Sequence, residues 1–182
     1  MRPEERPYTV RLTDIPIEGL AHAWDLSGDF ARMALAGTEA DLATVELRTS
    51  LRLDRQQRDV YVHGGLEGAI TLLCSRCMAP ARVLVSSEIA VLYVPHGREA
   101  GEIDESPDAP DVFTYDDEVV DLEEMLREET LLALPMAPLC DEACKGLCPT
   151  CGKDWNQGTC ECSQVVKDDR WAALKSVKIK ES

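Results

Sequence analysis

Apolar and polar residues alternate most cleanly between Val45 and Leu53. Val45, Leu47, Thr49, Leu51 and Leu53 are separated there by Glu46, Arg48, Ser50 and Arg52. A period of two puts the two sets on opposite faces of a strand, so this stretch predicts a strand half-buried against a core. Asp54 to Arg58 supplies the next turn, and Val60-Tyr61-Val62 resumes a strand that runs up to Gly64-Gly65. A further strand, Leu66 to Leu73, leads directly into Cys74. Ala81 to Val94, rich in Val, Leu and Ile, leaves from beyond Cys77. The alternation changes phase near Ser86-Ser87, which predicts a bulge. Cys74 and Cys77 therefore sit at the tip of a β-hairpin. Val10 to Ile15 also alternates, and Pro16 stops it, giving a short strand near the start.

Helical spacing is confined to three short stretches. Ser27 to Gly37 predicts a helix capped by Ser27 or Asp29. Asp121 caps a second helix, Leu122 to Leu134, with Glu124 at the capping-box position and Pro135 ending it. Leu122, Met125, Leu126 and Leu132 form its apolar face. Asp168 or Asp169 caps a third, which places Trp171, Leu174 and Val177 on one side. Between strand and helix, Pro95 to Asp111 is Gly, Pro and acid and reads as a loop, with a short strand over Val112 to Val120. Strands joined consecutively predict an α+β fold: a curved, barrel-like antiparallel β-meander with a few short helices. Its 182 residues suit one domain with small appendages. The expected division is a β scaffold with acidic loop and helix over 1–139, then a Cys-rich knuckle and C-terminal helix over 140–182.

Cysteine spacing changes the picture. Six of the eight cysteines, Cys140, Cys144, Cys148, Cys151, Cys160 and Cys162, lie in one stretch, and Cys74 and Cys77 form the upstream pair. Cys148-Pro149-Thr150-Cys151-Gly152 is a Cys-x2-Cys-Gly turn, which lets two sulfurs converge on one ion while backbone amides point at them. No histidine lies among the six, so a metal held here is held by sulfur alone. Eight thiolates make two complete four-cysteine sets, the signature of two structural Zn²⁺ ions. Disulfides belong to short secreted chains, and a redox pair at Cys74/Cys77 requires a helix after the first Cys, where a β-rich segment follows instead. An iron–sulfur cluster uses the same four-thiolate set. Shorter loops close if Cys74, Cys77, Cys140 and Cys144 form one site and Cys148, Cys151, Cys160 and Cys162 the other. The rival division joins Cys74/Cys77 to Cys148/Cys151.

Charge sets the class of partner. The formal net charge is −15. Each Zn²⁺ bound by four thiolates contributes −2, taking the loaded chain to about −19. Such a surface is repelled by phosphate backbones. Residues 99–129 carry fourteen Asp or Glu against a single Arg127. Glu102, Asp104, Glu105, Asp116 and Asp117 are the candidate docking residues for a basic partner. No stretch approaches the ~20 apolar residues of a membrane span, and the N-terminus lacks the apolar segment of a signal peptide. The expectation is a cytoplasmic protein without membrane contact.

Four features together resemble one family, the YceD proteins, named for large ribosomal RNA subunit accumulation. They are the hairpin Leu73-Cys-Ser-Arg-Cys77, Asp121-Leu-Glu-Glu-Met with Leu132-Ala-Leu-Pro135, Cys140 with Gly146-Leu-Cys-Pro-Thr-Cys-Gly152, and Asp169-Arg-Trp-Ala-Ala-Leu174. The resemblance spans roughly the last two-thirds of the chain in the right order. It implies a role in ribosome biogenesis and in accumulation of the large-subunit RNA, and a second thiol set that is a separable knuckle. Combined with the acidity, it points to a non-enzymatic, zinc-stabilised scaffold that binds a basic ribosomal or ribosome-assembly protein. The alternative is a zinc-ribbon nucleic-acid binder touching ribosomal RNA directly, but Lys145 and Lys153 are its only cations between Cys140 and Cys162. An enzyme is disfavoured. A catalytic zinc keeps an open position for water, whereas every cysteine here has a structural place. His22, His63 and His96 are scattered, and no nucleophile triad or phosphate loop is present.

Overall fold

The alternation at Val45–Leu53 becomes the centre of a five-stranded sheet. In the computed structural model, which describes residues 7–97 and 110–162, strand β3 spans Glu46–Gln56. Its Leu47, Thr49, Leu51 and Leu53 are buried on one face. Thr49 is the polar member, and its hydroxyl donates to the Gly65 carbonyl at 2.9 Å. The other strands are β1 (Thr9–Arg11), β2 (Leu20–Asp25), β4 (Asp59–Leu73), β5 (Pro80–Pro95), β6 (Asp111–Tyr115) and β7 (Val119–Asp121). The main sheet runs in the order β2-β3-β4-β5-β6, while β1 and β7 pair separately. Helices α1 (Asp29–Ala34) and α2 (Glu123–Leu132) complete the fold.

Two features of this sheet correct the expected barrel-like antiparallel meander. The sheet is open, with β2 and β6 at its edges rather than hydrogen-bonded to each other. Strand β6 also runs parallel to β5, with Val91 opposite Asp111 and Pro95 opposite Tyr115. A parallel neighbour requires a long return connection, and the acidic segment after Pro95 is long enough to supply it.

Strand β4 does not end at Gly64-Gly65. It continues through them, paired with β3 from Asp59 to Ala69 and with β5 from Val60 to Leu73. Gly64 and Gly68 have φ of +151° and +158°, and a Cβ there would lie 2.1 Å from the Ser50 carbonyl oxygen and 1.9 Å from that of Glu46. Here glycine marks close approach of a neighbouring backbone within a strand rather than a chain reversal.

The bulge expected at Ser86-Ser87 is also absent: the β4–β5 register is unbroken from Val60↔Tyr93 to Leu73↔Pro80. The phase shift is chemical in origin. Ser87 stays on the inner face because its hydroxyl donates to Glu129 of α2 at 2.7 Å, while Leu84 faces outward, 81% exposed.

The inner face packs into one core in which Leu53, Val60, Ile70 and Tyr93 meet Leu26, Phe30, Leu122 and Met125. Three smaller differences concern the segments that cover it. The strand expected over Val10–Ile15 stops at Arg11, and Leu12–Asp14 turns as a 3₁₀ helix. Helix α1 begins after Gly28, whose φ is +67°, in place of a Ser27 or Asp29 cap. The N-cap of α2 is Leu122, without a side-chain cap bond, in place of Asp121 and a Glu124 capping box, although Asp121 accepts from the Glu123 amide at 3.0 Å. Leu132 points away from the core and is 78% exposed. The third helix, with Asp168, Asp169, Trp171, Leu174 and Val177, lies outside the described residues. Among those residues, no helix is long and apolar enough to cross a membrane.

Candidate metal centre

The hairpin β4–β5 narrows at its tip into a sulfur-binding turn. Cys74 donates its amide to Ala79 and accepts from the Met78 amide, both at 2.8 Å, and Met78 has φ +62°. This fold-back aims the amides of Arg76 and Cys77 at the Cys74 sulfur. Cys148 repeats the arrangement. Its sulfur accepts from the amides of Thr150 and Cys151, and Gly152, at φ +73°, takes the place held by Met78 in the first turn. Two such turns are the local reason each Cys-x2-Cys presents its sulfurs on one side.

Tertiary structure then completes each set. Cys74, Cys77, Cys140 and Cys144 form one group and Cys148, Cys151, Cys160 and Cys162 the other, the ligand atoms of each lying within 4.8 Å of one another. The sulfurs of Cys74 and Cys144 are 3.9 Å apart, and those of Cys77 and Cys140 3.5 Å. A tetrahedral ion at a metal–sulfur distance of about 2.3 Å requires edges of about 3.8 Å, so the first set fits such an ion. All eight cysteines are free thiols. The first set takes two sulfurs from the hairpin tip and two from beyond α2. The surrounding backbone fastens these segments together: Ser75 donates to the Pro138 carbonyl at 2.8 Å, Leu147 to Arg76 at 3.1 Å, and the Arg76 guanidinium to the Cys144 carbonyl at 2.8 Å. In the first set Cys74, Cys77 and Cys144 are buried and Cys140 is exposed; in the second Cys148 is buried, Cys151 exposed, and Cys160 and Cys162 half-buried.

Charge separates the roles of the sulfurs. Cys74 is drawn down to about 6, chiefly by the Cys140 amide, and Cys160 to about 6, chiefly by the Trp155 indole N–H. Cys140 is pushed up to about 12 by sharing its proton with Cys77, and Cys162 to about 12 by sharing with Cys151. With no cation, each set therefore keeps protons between its sulfurs at neutral pH. A metal ion entering either set would have to displace them, so its affinity would fall as pH falls. Below about 6, Cys74 and Cys160 also hold protons in the metal-free chain. Log affinity of a metal for either set should then vary more steeply with pH below about 6 than above it. Competition with a chromophoric chelator from pH 5 to 8 checks this; a slope unchanged across pH 6 contradicts it.

Sequence reasoning located the thiols but missed the groups that support them. Arg76, Trp155 and Asn156 make the polar contacts around the sulfurs, with Trp155 Nε1 donating to Cys160 Sγ at 3.4 Å and Asn156 Nδ2 to Cys144 Sγ at 3.4 Å. The only signal was the turn Asn156-Gln157-Gly158 between Cys151 and Cys160. Of the acidic candidates, Asp116 and Asp117 lie at the β6–β7 turn, where Asp117 and Glu118 have φ of +51° and +58°. Glu102, Asp104 and Glu105 lie outside the described residues.

An open β-sheet bearing two four-cysteine sets, each with a Cys-x2-Cys turn, defines a β-scaffold with paired centres that could hold metal ions. The chain belongs to the family described as large ribosomal RNA subunit accumulation protein YceD, whose sequence model matches residues 62–178 and so takes in all eight cysteines. It is similar to an uncharacterized protein of Mycobacterium tuberculosis, at 30% identity over 70% of this chain and 60% of the relative. A Bacillus subtilis protein, also uncharacterized, is 29% identical over 72% of this chain and 73% of the relative. The Arabidopsis thaliana chloroplastic large ribosomal RNA subunit accumulation protein YCED homolog 1 is 24% identical over 72% of this chain and 48% of the relative. The chain thus spans 60% of the mycobacterial relative's length and about half of the plant one's. No solved structure is significantly similar to it.

Proposed function

We propose that this chain is a non-catalytic, zinc-stabilised scaffold that supports accumulation of large-subunit ribosomal RNA by holding a basic ribosomal or ribosome-assembly protein. One observation carries the reading: the eight cysteines divide into two complete four-sulfur sets, with none left over to act on a substrate. Cys74, Cys77, Cys140 and Cys144 would hold one Zn²⁺, and Cys148, Cys151, Cys160 and Cys162 the other. A four-sulfur zinc is closed to water and contributes folding energy, which suits a structural role. The family name and the plant relative's name supply the link to large-subunit ribosomal RNA. A net charge of −15 favours a protein partner over the RNA itself.

Purified protein is expected to carry two zinc ions per chain, all-sulfur by zinc-edge absorption. One ion or none, iron, or nitrogen ligands would contradict the zinc half of the proposal. The partner half is tested by capture from lysate with and without nuclease. Capture of a basic protein should survive nuclease and slow as salt rises, because complementary charge acts mainly on the association rate and is screened. Replacing Glu102, Asp104, Glu105, Asp116 and Asp117 by their amides should slow it too, while leaving the zinc in place. Tight RNA binding by the isolated protein, indifferent to those five changes, would decide for direct RNA contact.

A further inference from the structure

We propose that the dipeptide Trp155-Asn156 couples the two thiol sets, so that metal in the second tightens metal in the first, with Asn156 as the positioning residue. The inference rests on the reading that both sets bind metal. Its basis is an adjacency: Trp155 Nε1 donates to Cys160 Sγ and Asn156 Nδ2 donates to Cys144 Sγ, each at 3.4 Å. Cys160 belongs to the second set and Cys144 to the first. Two consecutive residues therefore place one N–H···S bond in each set.

The orientation of the Asn156 amide follows from its other contacts. Its Oδ1 accepts from the Lys145 amide at 2.8 Å, so Nδ2 is the atom left to face the sulfur. Trp155 is tied to the segment between the sets, its amide donating to the Gly146 carbonyl at 2.9 Å. Asp154 accepts from both the backbone and side-chain nitrogens of Asn156, at 2.9 and 2.8 Å.

Both residues lie in the loop between Cys151 and Cys160, which are ligands of the second set. Metal in the second set closes that loop and holds Asn156 over Cys144. Four thiolates around one divalent cation retain a charge of −2, and a donor aimed at one sulfur stabilises it. Loss of the second metal frees the loop and withdraws that donor. Because coupling between binding sites is reciprocal, metal in the first set must strengthen the second by the same factor.

The experiment uses the full chain, with cadmium-113 as the probe ion so that each set gives its own resonance during chelator competition. Asn156→Asp keeps an acceptor for the Lys145 amide, but it removes both the donor to the Cys144 sulfur and the bond to Asp154, and adds a negative charge beside them. It is expected to weaken cadmium in the first set about tenfold, the usual cost of removing an outer-shell donor. Asn156→Ala, which adds no charge, should weaken it at least as much. Cys160→Ser with Cys162→Ser, which empties the second set, should give the same tenfold loss, and adding Asn156→Ala to that pair should cost nothing more. Unchanged first-set affinity in both Asn156 variants, a loss with Asn156→Ala but none with Asn156→Asp, or losses that multiply in the combined variant, would overturn the coupling. The Asn156 variants retain every thiol, so unchanged first-set affinity in them overturns the coupling even if the double Ser chain does not fold. Absence of an all-sulfur cadmium resonance from either set would overturn the metal reading and the coupling with it. Two occupied sets indifferent to Asn156 would overturn the coupling alone.

Discussion

Cys74→Ser is expected to lower the thermal midpoint of the whole chain by about 10 °C, whereas Cys160→Ser should move the main transition by only a few degrees. The reason is where each set ties the chain. The first set joins the tip of the two longest strands to the segment beyond α2. With a metal ion bound, as proposed, it would close a loop of roughly 60 residues, worth about 4 kcal/mol by the chain-entropy argument used for cross-links. At roughly 2–4 °C per kcal/mol for a chain of this size, the loss amounts to about 10 °C. The second set closes only a short loop, and none of its cysteines joins a buried apolar cluster, whereas Cys74, Cys77 and Cys144 of the first pack with Ala81. Its loss is expected as local opening beyond about Lys145, a low-energy unit of the kind seen by amide exchange. Differential scanning calorimetry gives the midpoints and hydrogen exchange the extent of opening. Equal falls in the midpoint from both variants would show that the second set also carries the global fold.

Gly68→Ala should be nearly as damaging, although it removes no contact. The new Cβ would lie 1.9 Å from the Glu46 carbonyl oxygen and 2.9 Å from the Leu47 Cα, both backbone atoms of the paired strand β3. Neither can rotate aside as a side chain would, so β3 and β4 must part locally. The cost is about 3 kcal/mol or more, as for other residues forced into an incompatible backbone position. Gly64→Ala meets Ser50 in the same way, at 2.1 Å. Gly65→Ala is the control: its Cβ would find the Ser87 carbonyl oxygen at 3.4 Å, an ordinary contact, and Gly65 has no positive φ. Its midpoint should stay within about 2 °C of the parent's, or rise slightly through reduced freedom of the unfolded chain. If all three variants lose the same stability, the steric account of β4 fails.

Local periodicity determined much of the sheet by itself. Leu47, Leu51 and Leu53 must share a face because a strand alternates, and that holds whatever packs on them. The spacing of Cys74 with Cys77, and of Cys148 with Cys151, likewise dictates two sulfur-presenting turns, since a two-residue gap and a backbone fold-back bring the paired sulfurs to one side. Helix α2 was legible before Pro135, though Leu132 lies outside the apolar face, since Leu131, Ala133 and Leu134 are the residues there that pack against the core.

Relations between distant segments were decided only in three dimensions. The glycines at 64, 65 and 68 read the same whether a chain turns or another backbone comes close, and only the carbonyls of Ser50 and Glu46 distinguish the two. Ser87 looked like a break in the strand until Glu129, far along the chain, became its partner. The parallel placement of β6 depends on which sheet edge is free, a property of the assembled sheet that no stretch of β6 encodes. The same holds for Trp155 and Asn156. Their sequence marks a polar turn, and their contacts with sulfurs of two different sets exist only because Cys144 and Cys160 are drawn to either side of that turn. Periodicity and spacing act through bonds a few residues long, so they are written in the chain; closure of sets and choice of edges depend on long-range packing, which is not.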